Sequence, residues 1–217
     1  MSLFNDEVKK QLGDILTGME SDVSIMLFLE EGCNTCAETE AFMDEFQALS
    51  DRLSLVKLEE SKDEAEFERF GIDRTPAYLL LDAEGEDHGV RFYGIPAGYE
   101  INSFVSAVLD FGGAEDEEIP AALAERIEAI DQPTNIKVFV TLSCPHCPGA
   151  VQKAHKLARM NPNITAEMIE AQTFANLSNE FKVSSVPQIV FNDDNKYSLL
   201  GNQPLDVFVD ELEKAQA

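Results

Sequence analysis

The stretch Ser143-Cys144-Pro145-His146-Cys147 is followed, 43 residues after its first cysteine, by Val186-Pro187 at the start of an apolar run. The same arrangement occurs earlier in the chain, where Cys33-Asn34-Thr35-Cys36 precedes Thr75-Pro76 at the same distance. Apolar positions repeat with this offset of 111 residues as well, so that Leu27-Phe28-Leu29 corresponds to Val138-Phe139-Val140. Repetition of both cysteines and core positions indicates a duplicated structural unit.

The length of the chain suits two such units. Its 217 residues, of which 44% are hydrophobic, can form two cores of common domain size. We predict one domain at residues 1–113 and a second at 114–217. The boundary between the domains is expected at Gly112-Gly113 and the acidic run 115–118 after it. The glycines there are flexible, and the acidic residues have no apolar side chain to bury in a core.

The charge of the chain is strongly acidic. Asp and Glu outnumber Lys and Arg by 41 to 16, and the net charge is −25, of which −17 falls before residue 113. Binding of nucleic acid requires clustered basic residues, so no nucleic-acid partner is expected. We interpret the charge mainly as a solvated, repulsive surface; steering of basic partners is the alternative.

No segment predicts export or membrane insertion. Residues 1–10 carry Asp6, Glu7, Lys9 and Lys10, and no apolar run approaches the length of a membrane span. A cytoplasmic location without a membrane partner is therefore expected. In a reducing cytosol, two tight cysteine pairs indicate redox catalysis or metal binding rather than a structural disulfide framework.

Both halves show the same order of predicted elements. Strands are expected at residues 24–29 and 136–141, directly before the cysteine pairs, with second strands at 53–58 and 164–169. A helix is predicted before the first strand of each half and another after each cysteine pair. A further helix is predicted to start from a capping box at Ser61, and a closing helix ends each half, at 101–111 and 205–215. Gly94 corresponds to Gly201 if the second half has a shorter hairpin. The α-β-α-β-α-β-β-α order predicts an α/β fold with a mixed central sheet and helices on both faces in each half.

The position of each cysteine pair predicts its chemistry. A thiol at a helix N-terminus is stabilised as thiolate by unpaired backbone N–H groups and the helix dipole. We therefore assign Cys33 and Cys144 as the attacking cysteines. Cys36 and Cys147 are expected one helical turn further on, where each can resolve a mixed disulfide.

The residues between the cysteines should set the redox properties of the two sites. Pro145 suits a first helical turn, and His146, if protonated, would stabilise a neighbouring thiolate. Asn34 and Thr35 carry no charge, and Glu30 and Glu31 precede the first pair. We predict that Cys144–Cys147 is the more oxidising site.

The two prolines are predicted to bind substrate. A cis proline would turn the backbone of the preceding residue, Thr75 or Val186, toward the cysteines, where an extended substrate could hydrogen-bond to it. The alternative is an ordinary trans proline at a strand start. Two occurrences, Pro76 and Pro187, at the same distance from cysteine pairs favour the substrate-binding interpretation.

The strand, Cys-x-x-Cys, helix and Thr-Pro or Val-Pro pattern resembles the thioredoxin fold. The tandem form, with residues 71–77, 89–98 and 143–148, is similar to the glutaredoxin-like protein disulfide oxidoreductases of archaea and some bacteria. This resemblance implies two tandem thioredoxin-like domains and dithiol–disulfide exchange (reduction, oxidation or isomerisation) on protein substrates. It implies no bound cofactor, because NADPH and flavin would belong to a partner, a thioredoxin-reductase-like flavoprotein.

A second resemblance is carried by residues 140–163. This segment is similar to the N-terminal double-thioredoxin domain of the alkyl hydroperoxide reductase flavoprotein, which passes electrons to a peroxiredoxin. That family retains only the second cysteine pair, and the presence of Cys33 and Cys36 favours the first family. Unlike single-domain thioredoxins, this chain has Leu27 and Val138 where a buried aspartate would lie, so the base that assists the resolving cysteine is unassigned.

Two other classes remain as alternatives. The four cysteines could hold a Zn²⁺ ion, but Cys36 and Cys144 are much further apart in sequence than the pairs of structural zinc sites. We therefore predict no metal site. A chaperone that retains the fold without thiol turnover is the other alternative. His155 is assigned no role and is expected at the surface.

Overall fold

The computed structural model describes residues 3–114 and 118–216. The described residues divide into two compact units. The first comprises residues 3–87, 93–95 and 105–114, and the second comprises residues 88–92, 96–104 and 118–216. Most of the acidic run predicted at the boundary between the domains, residues 115–117, lies outside the described residues. The domain boundary after residue 113 stays a prediction.

The first half of the chain contains four α-helices and four strands within its described residues. They are α1 (Asp6–Leu16), β1 (Val23–Leu29), α2 (Cys36–Gln47), β2 (Leu53–Glu59), α3 (Glu64–Phe70), β3 (Ala77–Leu81), β4 (Val90–Tyr93), a 3₁₀ turn (Gly98–Glu100) and α4 (Ile101–Phe111). The second half repeats this order: α5 (Ala121–Glu128), β5 (Thr134–Val140), α6 (Cys147–Met160), β6 (Ile164–Glu170), α7 (Ala175–Glu180), β7 (Gln188–Phe191), β8 (Asp194–Leu200) and α8 (Leu205–Gln216).

Each unit contains a mixed sheet with an equivalent centre. In the first, β1 is parallel to β2 and antiparallel to β3. In the second, β5 is parallel to β6 and antiparallel to β7, which pairs with β8. Together with the helices between the strands, this arrangement confirms the predicted α/β class with tandem units.

The cores of the two units repeat in detail. The ring of Phe28 lies 6.0 Å from the ring of Phe70, and the equivalent rings of Phe139 and Phe181 are 5.4 Å apart. Apart from Ser24 and Asn135, the residues of β1 and β5 are buried, because a central strand is covered on both faces and its apolar side chains avoid water. These contacts confirm the 111-residue repeat.

The hairpin correspondence is confirmed by hydrogen bonding. The Gly94 N–H donates to the Pro76 carbonyl at 3.0 Å, and the Gly201 N–H donates to the Pro187 carbonyl at 2.9 Å. The connection between β7 and β8 consists of Asn192 and Asp193, whereas residues 82–89 join β3 to β4. The shorter second hairpin therefore accounts for the shift in sequence spacing.

Three local predictions were wrong. The helix predicted from a capping box at Ser61 begins at Glu64, and the carboxylate of Asp63 accepts a hydrogen bond from the Glu59 N–H instead of capping the helix. The helices after the cysteines begin at Cys36 and Cys147, so the second cysteine opens the helix rather than lying one turn inside it. His155, expected at the surface, is 3% exposed because it lies on the inner face of α6.

Candidate functional site

Each unit holds one disulfide at the junction of a strand and a helix. Cys33 is bonded to Cys36, with Cα atoms 5.4 Å apart, and Cys144 to Cys147, with Cα atoms 5.5 Å apart. The strands β1 and β5 end four residues before the first cysteine, and the helices begin at the second. The unpaired N–H groups of a helix N-terminus are thus available to each cysteine pair.

The two cysteines of each pair differ in exposure. Cys33 is partly exposed whereas Cys36 is 7% exposed, and Cys144 is 8% exposed whereas Cys147 is fully buried. An incoming sulfur atom can therefore reach the first cysteine more easily than the second. This difference agrees with the assignment of Cys33 and Cys144 as attackers, which remains a prediction.

The prolines lie at the sheet end from which the cysteine turns emerge. Phe28 of β1 pairs with Ala77, and Phe139 of β5 pairs with Gln188, so each proline is one residue beyond a paired position near the cysteines. Both Thr75-Pro76 and Val186-Pro187 are cis, as predicted. The hydroxyl of Thr75 also donates to the Glu30 carboxylate at 3.0 Å, which joins this loop to the segment before Cys33. Substrate binding by these backbones stays a prediction.

Pro145 and His146 are exposed in the turn between the second pair of cysteines. Because α6 begins at Cys147, Pro145 precedes the helix, and the first helical turn predicted to hold Pro145 holds Pro148 instead. The ring of Pro148 fits there because a first-turn N–H has no partner within the helix. Tuning of the thiolate by His146 stays a prediction.

A loop from residues 97–100 packs against the segment that leads to Cys144. The Tyr99 N–H donates to the Leu142 carbonyl at 2.9 Å. Gly98 has a positive φ of 58°, and a Cβ at this position would overlap the Leu142 carbonyl oxygen. Only a glycine allows this close approach without displacing one of the two segments.

Glu100, at the end of this loop, was not predicted as a functional residue. Its side chain is fully buried, and burial raises its pKa to about 7 although a hydrogen bond from the Ser103 hydroxyl opposes the shift. The loop contacts α6, which begins at Cys147. One sequence signal was available, since Glu100 is the only charged residue between Arg91 and Asp110.

The remaining sequence alternatives concern metals and membranes. Within residues 3–114 and 118–216, no group of three or more His, Cys, Asp or Glu side chains is arranged to hold a metal ion. The four cysteines are instead joined in two disulfides. No helix in the described part of the chain has the length and apolar character needed to cross a membrane.

The repeated sheet, the disulfide at each strand–helix junction and the cis proline define a protein with two thioredoxin-like units. Residues 134–214 match the family described as thioredoxin domain. The NTD_N/C domain of alkylhydroperoxide reductase AhpF from Enterococcus faecalis is 30% identical, with a TM-score of 0.88 over 96% of this chain and 99% of the other. A protein disulfide oxidoreductase from Aeropyrum pernix is 28% identical, with a TM-score of 0.87 over 97% and 93%.

The chain belongs to the family of tandem thioredoxin-fold thiol–disulfide oxidoreductases that includes the N-terminal domain of AhpF. The alkyl hydroperoxide reductase AhpF of Staphylococcus aureus is also 30% identical over 192 residues, which is 88% of this chain. The chain spans about a third of the length of these curated relatives, 34% in this case.

Proposed function

We propose that this protein catalyses dithiol–disulfide exchange on protein substrates, in which reduction, oxidation and isomerisation are the same chemistry run in different directions. The observation that carries the proposal is the presence, in both units, of a disulfide whose first cysteine is the more accessible. Two tight redox pairs in such positions also favour a cytoplasmic location, where thiols are kept reduced.

In the reductive direction, the Cys144 thiolate attacks a substrate sulfur. A protein–substrate disulfide forms, and the second substrate sulfur leaves as a thiolate. The Cys147 thiolate then attacks Cys144, so that the internal disulfide forms and the remaining substrate sulfur is released. Two electrons pass from the dithiol to the substrate. Cys33 and Cys36 perform the same sequence in the first unit.

We assign Glu100 as the group that accepts the proton from Cys147. The resolving cysteine is fully buried and must lose its proton before it can attack. A carboxyl group with a pKa of about 7 accepts a proton near neutral pH and returns it in the reverse reaction. The position of Glu100 in a loop that contacts α6 supports this assignment.

A second candidate function is electron transfer from a flavin reductase to a peroxiredoxin. The similarity to the alkyl hydroperoxide reductase AhpF over 88% of the chain favours it. In this role the protein binds no cofactor of its own, and NADPH and flavin belong to a thioredoxin-reductase-like flavoprotein. The cysteine chemistry is unchanged, and only the acceptor differs.

The proposal is tested by NADPH-coupled reduction of insulin with a thioredoxin-reductase donor. Wild type, Cys33→Ser and Cys144→Ser are compared, and a peroxiredoxin with hydroperoxide replaces insulin in a parallel assay. We expect Cys144→Ser to abolish turnover at the second site. Loss of activity in both variants indicates a relay between the sites. A wild-type protein that is inert in both assays, or that binds Zn²⁺ instead, contradicts the proposal.

A further inference from the structure

A cavity of about 620 Å³ lies beside the Cys33–Cys36 disulfide in the first unit. It is bounded by the turn before Cys33, the first turn of α2 and the end of β2, and both cysteines line it. A segment bound in this cavity would therefore be next to the reacting sulfur atoms. Because the reactive disulfide lines the cavity, the other residues that line the cavity would contact the substrate and determine which substrates bind.

The charged lining of this cavity is predominantly acidic. Lys57 is its one basic lining residue among those described, and its acidic residues are Glu30, Glu31, Glu40, Glu59 and Glu60. Lys57 is already engaged by Glu40 at 2.9 Å and by Asp44 at 2.8 Å. A second lysine, Lys62, pairs with Glu59.

Three of these carboxylates have no cation to neutralise them in the described part of the chain. Glu30 accepts a neutral hydrogen bond from the Thr75 hydroxyl. Glu31 and Glu60 are exposed and form no ion pair within the described ranges. Arg74, the cation next to Thr75, pairs with Asp73 at 2.8 Å and lies over the Tyr93 ring. The cavity thus presents uncompensated negative charge beside the disulfide.

The second unit lacks this acidic lining at the equivalent positions. With the 111-residue offset, the counterparts of Glu30, Glu31, Glu40 and Glu60 are Thr141, Leu142, Val151 and Ala171. Only Glu59 keeps a carboxylate, Glu170. That residue is 3% exposed and accepts hydrogen bonds from the N–H groups of Gln172 and Thr173. Two sites with the same cysteine chemistry therefore differ in the charge that a substrate meets.

We propose that the cavity at Cys33–Cys36 selects substrate segments that carry Lys or Arg beside the reacting cysteine, whereas Cys144–Cys147 does not select by charge. Opposite charge raises the rate of encounter, and like charge in the substrate is repelled. The inference rests on the proposed exchange activity of the first site, for which it names the substrate class.

The test uses the full chain with Cys144→Ser/Cys147→Ser, reduced, so that only the first site can react. The probes are three peptides of equal length, each with one cysteine in a mixed disulfide with thionitrobenzoate, flanked by Lys, Gln or Glu. Cys33 attacks the peptide sulfur and releases thionitrobenzoate, whose absorbance is followed. Cys36 then forms the internal disulfide and releases the peptide thiol, so two electrons pass to each probe.

We expect the Lys peptide to react about tenfold faster than the Glu peptide at low salt, with the ratio approaching one as salt screens the charges. In the same background, Glu31→Gln/Glu60→Gln should reduce this ratio at least about threefold. The control Glu7→Gln/Asp51→Asn removes the same amount of charge from exposed positions outside the cavity, and it should leave the ratio of the two rates unchanged. The complementary Cys33→Ser/Cys36→Ser variant should show a ratio near one.

Each other outcome is decisive. Turnover of all three peptides at equal rates preserves the exchange activity and overturns the charge selection. No turnover of any peptide contradicts the proposed activity of the first site itself. Three outcomes refute the role of the cavity: the preference for the Lys peptide survives Glu31→Gln/Glu60→Gln, it falls equally in the control, or it recurs at the second site. In each case the preference arises from the net charge of the protein.

Discussion

The Ser103 hydroxyl donates a hydrogen bond of 2.6 Å to Oε2 of Glu100, and the same hydroxyl also contacts the Glu100 carbonyl at 2.9 Å. The other carboxylate oxygen, Oε1, is buried without a hydrogen-bond partner among the described residues. One hydrogen bond does not replace the hydration of a carboxylate, so burial dominates and the pKa of Glu100 rises to about 7.

Glu100→Gln should stabilise the protein increasingly as pH rises. The pKa of Glu100 is higher in the folded protein than in the unfolded chain. Its protonated carboxyl therefore contributes fully to stability below pH 4.5, and this contribution is lost as pH rises through 7. Relative to wild type, the variant should gain about 2 kcal/mol of unfolding free energy between pH 5.5 and pH 8. Urea unfolding at both pH values measures this. Glu7→Gln controls for loss of one surface charge, and an equal gain in that variant would contradict the prediction.

Removal of His155 should have the opposite pH dependence. Burial lowers the pKa of His155 to about 3, because neither ring nitrogen has a hydrogen-bond partner among the described residues, so the folded protein holds the ring neutral. The neutral ring of His155 contributes to the stability of the folded protein above its unfolded pKa of 6.5, and this contribution is lost as pH falls. Between pH 8 and pH 5.5, His155→Leu should gain about 1 kcal/mol relative to wild type.

His155→Gln serves as the control for this experiment, since it alters the packing against the Phe92 ring differently but also removes the titrating group. The two variants should differ in stability at pH 8 and share the same pH dependence. Different slopes would show that packing rather than protonation controls the effect.

Gly98→Ala should destabilise the loop that contacts the segment before Cys144. Its Cβ would overlap the Leu142 carbonyl oxygen, in addition to the cost of a positive φ. Gly85 has a positive φ of 80° with nothing within 4 Å of its Cβ, so Gly85→Ala measures the φ cost alone, about 1 kcal/mol. Gly98→Ala should cost about 2 kcal/mol or more by urea unfolding, with slower exchange at the second site. Equal losses in the two variants would refute the steric contact.

The two disulfides should differ in redox potential. Glu30 and Glu31 precede Cys33 and disfavour a thiolate at the first site, whereas His146 lies between the two cysteines of the second site and would stabilise a thiolate there if protonated. We expect Cys144–Cys147 to be more oxidising by about 30 mV or more. Equilibration with glutathione buffers of the variants Cys33→Ser/Cys36→Ser and Cys144→Ser/Cys147→Ser measures each site separately. Equal potentials would contradict this prediction.

Much of the fold could be predicted from local patterns. The strands β1 and β5 are short apolar runs directly before cysteines, and the positions of the prolines follow from the repeat. Helix starts were predicted less well, as at Ser61 and Cys36, because several nearby residues can satisfy the first N–H groups of a helix and tertiary contacts decide among them.

Spacing and apolar periodicity were enough to predict the duplicated order of elements, the pairing of cysteines within each Cys-x-x-Cys and the correspondence of Gly94 with Gly201. Only the tertiary structure showed that Glu100 and His155 are buried and that carboxylates from separate segments surround the Cys33–Cys36 cavity. Burial and charge clustering arise from residues distant in sequence, and the free energy of a charged group depends on all the atoms that replace its water.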